Sequence, residues 1–174
     1  MSEATTAANT GLKVKHRSVG AIVGLNLVTL GLYSIYWWYT INRELRDLGR
    51  RRGVDELDKK PALSALAYFT GPCLLIPYLW TAVTTSKRVD TAQREVNVKP
   101  LGASLPISLF VISAVACIAA AAATGGVLLG LLACAIAADL AAMVYLQSAL
   151  NKAWQAAGVR PEPPSHPDVA PSTA

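Results

Sequence analysis

The sequence predicts an all-α integral membrane protein with four hydrophobic helical segments. Three observations carry that expectation. The 174 residues are 53% hydrophobic and only 16% charged, which is apolar for a water-soluble domain of this size. From Leu101 to Ala138 there is no Asp, Glu, Lys, Arg or His. Two further uncharged tracts, Val19 to Ile41 and Ala62 to Ser86, precede it. A bilayer core asks for roughly 20 apolar residues per helix, so the long tract holds two spans and each earlier tract is long enough for one. A soluble bundle would show a polar stripe on each helix, and none is visible.

Taken in order, residues 1–12 are small and polar and read as a disordered tail. A single membrane domain occupies 13–158, with hydrophobic segments at about 19–41, 62–86, 102–123 and 127–150. Residues 159–174, with Pro161, Pro163, Pro164, Pro167 and Pro171, read as a second disordered tail. No secretory signal is evident, because the apolar run after the polar opening is too long for an h-region and lacks a cleavage pattern. His16 and His166 have no metal or catalytic partner nearby and read as surface residues. Cys73, Cys117 and Cys134 lie in apolar tracts without metal-ligand spacing and read as packing residues. Cys117 and Cys134 stand equally far from the Gly125-Gly126 turn, which leaves open a contact across a hairpin.

The membrane domain shows a weak three-fold repeat, each unit with one break of the same kind: Thr29-Leu30-Gly31, Thr70-Gly71-Pro72 and Thr124-Gly125-Gly126. Each break is followed by a helix whose end carries an aromatic residue and then a small polar residue and a cation: Tyr36 with Asn42-Arg43, Trp80 with Ser86-Lys87, Tyr145 with Asn151-Lys152. Two endings continue with amphipathic spacing. Ile41, Leu45 and Leu48 share one face opposite Arg43, Arg46 and Asp47, and Val89, Ala92 and Val96 do the same opposite Lys87, Asp90 and Arg94. Such extensions are expected to lie along the cytoplasmic headgroup layer. Pro72 and Pro77 are expected to break or kink the second segment.

The first two segments span or re-enter. Four crossings with the N-terminus inside divide the sixteen cations nine to seven, a poor positive-inside bias. If the first two segments dip in and return at their Thr/Gly breaks, all sixteen lie on the cytoplasmic side. Irregular backbone at that depth then needs cover from protein. Both schemes share a spanning hairpin from Leu105 to Leu150.

Asp139 is the one charge between Leu101 and Lys152. An ionised carboxylate near the bilayer centre costs roughly 2.5–3.5 kcal/mol on insertion scales, so protonation or hydrogen bonds from Ser108, Ser113 or Asn26 must offset it. Asp139 with Ser113 is the candidate intramembrane polar site: a proton or cation site, an oligomer contact, or a neutral hydrogen-bonded acid. Ala119 to Ala123, Gly126/Gly130 and Ala133/Ala137/Ala141 give the last two helices small faces, which pack this hairpin or join chains. Tyr36, Trp37, Trp38, Trp80 and Tyr145 are expected to anchor at the interface, where rings prefer the apolar side and polar tips prefer water. Gly31, Gly71, Pro72, Gly125 and Gly126 are the expected helix breaks.

No Gly-rich phosphate loop, His/Cys cluster or nucleophile with a base stands out, so no catalytic residue, metal or cofactor is expected. The net charge of +5 does not point to nucleic acid. Arg50, Arg51 and Arg52 adjoin apolar tracts, where cations meet anionic headgroups. The expected function is a small non-enzymatic membrane protein working through lipid and protein contacts as a homo-oligomer or scaffold. The alternative is a small transporter or ion or proton conductor using Asp139.

The run Arg17-Ser18, an apolar dozen, Thr29-Leu30-Gly31-Leu32-Tyr33, then Tyr36-Trp37-Trp38-Tyr39 and Asn42-Arg43-Glu44-Leu45 resembles the bacterial membrane domain known as domain of unknown function 4234. The motif match covers about residues 13–50, the remainder agreeing in hydropathy. The resemblance implies a multi-pass protein of the bacterial inner membrane, assigns no activity and transfers no catalytic residue. The Ala-rich hairpin with Asp139 lies outside the motif and is read as a feature particular to this chain.

Overall fold

The computed structural model describes residues 17–69 and 75–157, which form six α-helices and one short 3-10 turn, with no strand among the described residues. Helix α1 (Val19–Val28) begins where Ser18, extended at the N-cap, accepts a hydrogen bond from the Ala21 N–H at 3.1 Å, satisfying one of the free donors of a first turn. It ends at Thr29. The Thr29 hydroxyl donates to the Leu25 carbonyl at 2.7 Å and accepts from the Tyr33 N–H at 3.0 Å. Leu30 and Gly31 then take φ of +50° and +88°, a reversal that no helix can continue through.

Helix α2 (Leu32–Arg52) runs back beside α1. The decisive contact is Arg17 Nη2 to Glu44 Oε1 at 2.7 Å, with both side chains buried. In one continuous helix those residues would stand about 40 Å apart. The tract 19–41 is therefore a helical hairpin whose two ends meet, not one rod.

A second hairpin follows. Gly53, at φ +69°, closes α2, and the 3-10 turn Asp55–Leu57 leads to α3 (Pro61–Phe69). Helix α4 (Leu75–Glu95) packs against α3. Arg88 of α4 reaches the Leu57 carbonyl with Nη2 and Asn42 Oδ1 with Nη1, the latter at 2.5 Å, so the far end of α4 returns to the start of α3. Burial lowers the Arg88 guanidinium to about 10, because the charged form loses hydration. Pro77 is the third described residue of α4. The break at Thr70, Gly71 and Pro72, with Cys73, lies outside the described residues, as do both tails and the two histidines.

The third hairpin is longer. Helix α5 (Ser104–Ala121) and helix α6 (Gly125–Ala156) pack along each other, and α6 also touches α1 and α4. Gly125, at φ +59°, opens α6, while Gly126 is already helical. Both helices are long and apolar enough to cross a membrane, yet only 33% and 22% of their most apolar stretches are buried inside the protein. A soluble core helix would be covered. Here Val111, Ile112, Val115, Ile118, Val127 and Leu129 face outward. Cys117 and Cys134 are free thiols on exposed faces.

The core sits where the three hairpins meet, at Trp37, Trp38, Ile41, Leu45, Met143, Leu146 and Leu150. This corrects two expectations. Trp37 and Trp38 are fully buried and are not interface anchors: α2 has neighbours on several sides, so two adjacent residues about 100° apart around the helix both find cover. Likewise the amphipathic faces Ile41/Leu45/Leu48 and Val89/Ala92/Val96 are buried against protein, so the apolar side of each extension is covered by the fold rather than by headgroups. The other anchors differ: Tyr36 and Trp80 are exposed, whereas the half-buried Tyr145 hydroxyl donates to the Leu101 carbonyl.

Candidate functional site

Helix α6 supplies the frame. At four-residue steps it carries Asp139, Met143, Gln147 and Asn151, a spacing that sets all four on one face. Each meets a different part of the first two hairpins. Asn151 Nδ2 donates to the Arg17 carbonyl at 2.9 Å. Gln147 Oε1 accepts from Trp37 Nε1 at 2.9 Å, and its amide donates to Asn151 Oδ1 at 2.9 Å. The Ser34 hydroxyl contacts the Met143 sulfur at 3.7 Å and donates to Asn26 Oδ1. Asn26 in turn donates to the Ile22 carbonyl at 2.9 Å.

Asp139 is the last polar rung. Tyr68, at the end of α3, donates to Oδ2 at 2.5 Å, and Tyr78, near the start of α4, donates to Oδ1 at 2.6 Å. Both carboxylate oxygens thus receive a phenol, an arrangement suited to the ionised form, since charge-assisted O–H···O⁻ bonds run this short. The two rings lie 5.6 Å apart, with Trp38 4.9 Å from Tyr68 and Phe110 6.0 Å from Tyr78 edge-on. Packing among four aromatic rings fixes where the hydroxyls point.

The expected donors were different. Asn26 is committed within its own hairpin, and Ser113 lines the cleft beside Asp139. Tyr68 and Tyr78 escaped notice because they stand 71 and 61 residues from Asp139 in sequence. The signal that would have found a docking face was the four-residue polar spacing on an otherwise apolar helix.

Beside the carboxylate opens a cleft of about 590 Å³. It lies between the α1–α2 reversal, the end of α3, the start of α4 and the middle of α5 and α6, with Leu27, Leu30, Ile35, Phe69, Leu75 and Ile136 among its apolar walls. Among the described residues no group of His, Cys, Asp or Glu is arranged to hold a metal ion. Gly31 borders the cleft, Gly125 and Gly126 lie at the far end of α6, and Arg50 pairs with Asp58 at 3.1 Å on the opposite, basic end.

These features define an all-helical protein in which a hairpin of membrane-spanning length carries two shorter helical hairpins on one end. The chain belongs to the family described as Domain of unknown function (DUF4234), whose model matches residues 17–145. The match runs well past the motif at 13–50 and takes in both short hairpins, α5 and Asp139. No curated protein and no solved structure matches the chain.

Proposed function

We propose that this chain is a non-enzymatic, multi-pass protein of the bacterial inner membrane that works as a homo-oligomeric scaffold through lipid and protein contacts. The observation that carries the proposal is the outer face of α6. Gly126, Gly130, Ala133, Ala137 and Ala141, at three- and four-residue steps, are all exposed. A Cβ added at Gly126 or Gly130 would meet nothing within 4 Å. These small residues are therefore not what packs the hairpin on itself. In hydrocarbon, such a face lets helix backbones of separate chains approach closely.

In the bilayer, α5 and α6 span while the first two hairpins enter from the basic side and return to it. The Arg17–Glu44 and Arg88–Leu57 contacts support that placement, because each closes a hairpin at its cationic end. It puts Arg50, Arg51 and Arg52 with the other cations at the cytoplasmic surface, in reach of anionic headgroups. Ion conduction through Asp139 draws less support. From Asp139 to Gly125, α6 offers only Ala, Ile, Cys, Leu, Val and Gly, so no polar path leads from the carboxylate along that helix to its far end.

Native mass spectrometry from several detergents tests the scaffold reading. A discrete oligomer is expected for the parent chain and a shift towards monomer for Gly126→Leu/Gly130→Leu, whose exposed sites tolerate the added bulk. A strict monomer throughout refutes it. Impermeant labelling of single cysteines at positions 55 and 91 checks the placement: both sites should stay unlabelled in intact cells.

A further inference from the structure

We propose that the cleft beside Asp139 binds a lipophilic organic cation, with the Asp139 carboxylate as its counter-ion and the Tyr68 and Tyr78 rings as its walls. The cleft's lipid-facing mouth rests on the bilayer placement proposed above, but nothing here depends on the oligomeric scaffold.

Size sets the first limit. At about 590 Å³ the cleft falls in the range of roughly 300–1,000 Å³ typical of small-molecule sites, far more than a bare metal ion or proton needs. Charge sets the second. Among the described residues Asp139 is the one carboxylate in the lining and no Lys, Arg or His accompanies it, so an ionised Asp139 has no cationic side chain there to balance it. The two phenols engage each carboxylate oxygen once. A carboxylate oxygen has further lone-pair directions, and Tyr68 and Tyr78 line the cleft, side chains of the kind that attract organic cations.

The mouth sets the third. Leu30, Phe69 and Ile136 border the cleft and are themselves exposed, Leu30 by 95%. Asp139 lies about 20 Å along α6 from Gly125 and about the same from Lys152, so in a bilayer the opening faces hydrocarbon rather than either aqueous surface. A ligand arriving there must itself be lipid-soluble. An onium centre inside an apolar body satisfies all three limits, whereas a hydrophilic cation fails the third.

The test uses the full chain in phosphatidylcholine nanodiscs with tetraphenylphosphonium as the probe, correcting for uptake by empty nanodiscs. Saturable binding of one cation per chain is expected. Asp139→Asn keeps the shape and removes the charge, and should weaken binding by about tenfold or more, the loss expected when one partner of a desolvated charge pair is removed. Ile136→Trp, on the exposed rim, keeps the charge and fills the space; it should block binding to a similar extent. Neutral tetraphenylmethane should not displace the probe. Unchanged affinity in a folded Asp139→Asn protein, full binding to Ile136→Trp, or displacement by tetraphenylmethane each overturns the proposal, the last identifying the cleft as a groove for lipid chains. Should Asp139→Asn fail to fold, Ile136→Trp and the neutral competitor decide.

Discussion

Gln147→Leu asks whether the polar rungs of α6 bind the hairpins together. Gln147 and Trp37 are fully buried and joined at 2.9 Å, and Gln147 also donates to Asn151. Leucine has nearly the same volume, so packing is largely kept, while the indole N–H loses its acceptor and Asn151 loses a donor. A buried polar group left without a partner costs about 1–3 kcal/mol. Couplings between polar side chains in membrane helices average about 0.6 and reach about 1.7 kcal/mol, because the unfolded chain in the membrane also finds partners. With both side chains desolvated here, the upper part of that range applies. Gln147→Leu should destabilise by about 2 kcal/mol. In a Trp37→Phe background, where no N–H needs an acceptor, about 1–1.7 kcal/mol of that should disappear. The four members of this cycle are compared by equilibrium unfolding in mixed micelles of increasing SDS content, followed by far-UV circular dichroism. A coupling energy indistinguishable from zero refutes the idea that this rung holds α2 to α6.

Two further outcomes follow from the backbone. Leu30 holds a left-handed φ of +50° and is almost wholly exposed; Leu30→Gly should raise stability by about 1 kcal/mol, while Gly31→Val at φ +88° should lower it by about 1–2 kcal/mol, both read as shifts in thermal midpoint. Gly49→Ala would bring its Cβ within 2.5 Å of Leu57 Cβ and 2.9 Å of the Val54 carbonyl; the forced movement of the 3-10 turn should cost about 1–3 kcal/mol, and the same measurement checks it, with Gly130→Ala, which meets nothing within 4 Å, as the neutral comparison.

The helical class and the long hairpin were legible because both follow from composition along the chain: an uncharged tract of about 20 residues or more suits a helix that closes its backbone bonds internally. The Thr29-Leu30-Gly31 break was legible for a local reason as well, since glycine there permits the positive φ that reverses the chain. What covers an apolar face was not. Periodicity marks Ile41, Leu45 and Leu48 as one stripe, and a stripe is the same pattern whether protein or headgroups lie against it. Trp37 and Trp38 were misread on similar grounds, for an aromatic run looks alike at an interface and in a core. The partners of Asp139 depend on where a different hairpin ends, and nothing local to residue 139 records that Tyr68 and Tyr78 arrive together.

That joint arrival explains why a charge can sit where it does. Placing an ionised carboxylate at mid-bilayer costs roughly 2.5–3.5 kcal/mol, and a hydrogen bond to a charged group returns about 1.5–3 kcal/mol. One phenol does not reliably offset the charge; two do. The second short hairpin delivers both, because Tyr68 lies at the end of α3, Tyr78 near the start of α4, and both hydroxyls reach one residue of α6. The depth of that hairpin and the position of the acid are thus one design variable. Moving Asp139 one turn towards Gly125 would carry it beyond both hydroxyls, and one turn the other way would place it at Met143, beside Ser34 of the first hairpin. The rung at 139 is where α6 passes from a face that docks the short hairpins to a stretch exposed on most sides, and the cleft opens at that boundary.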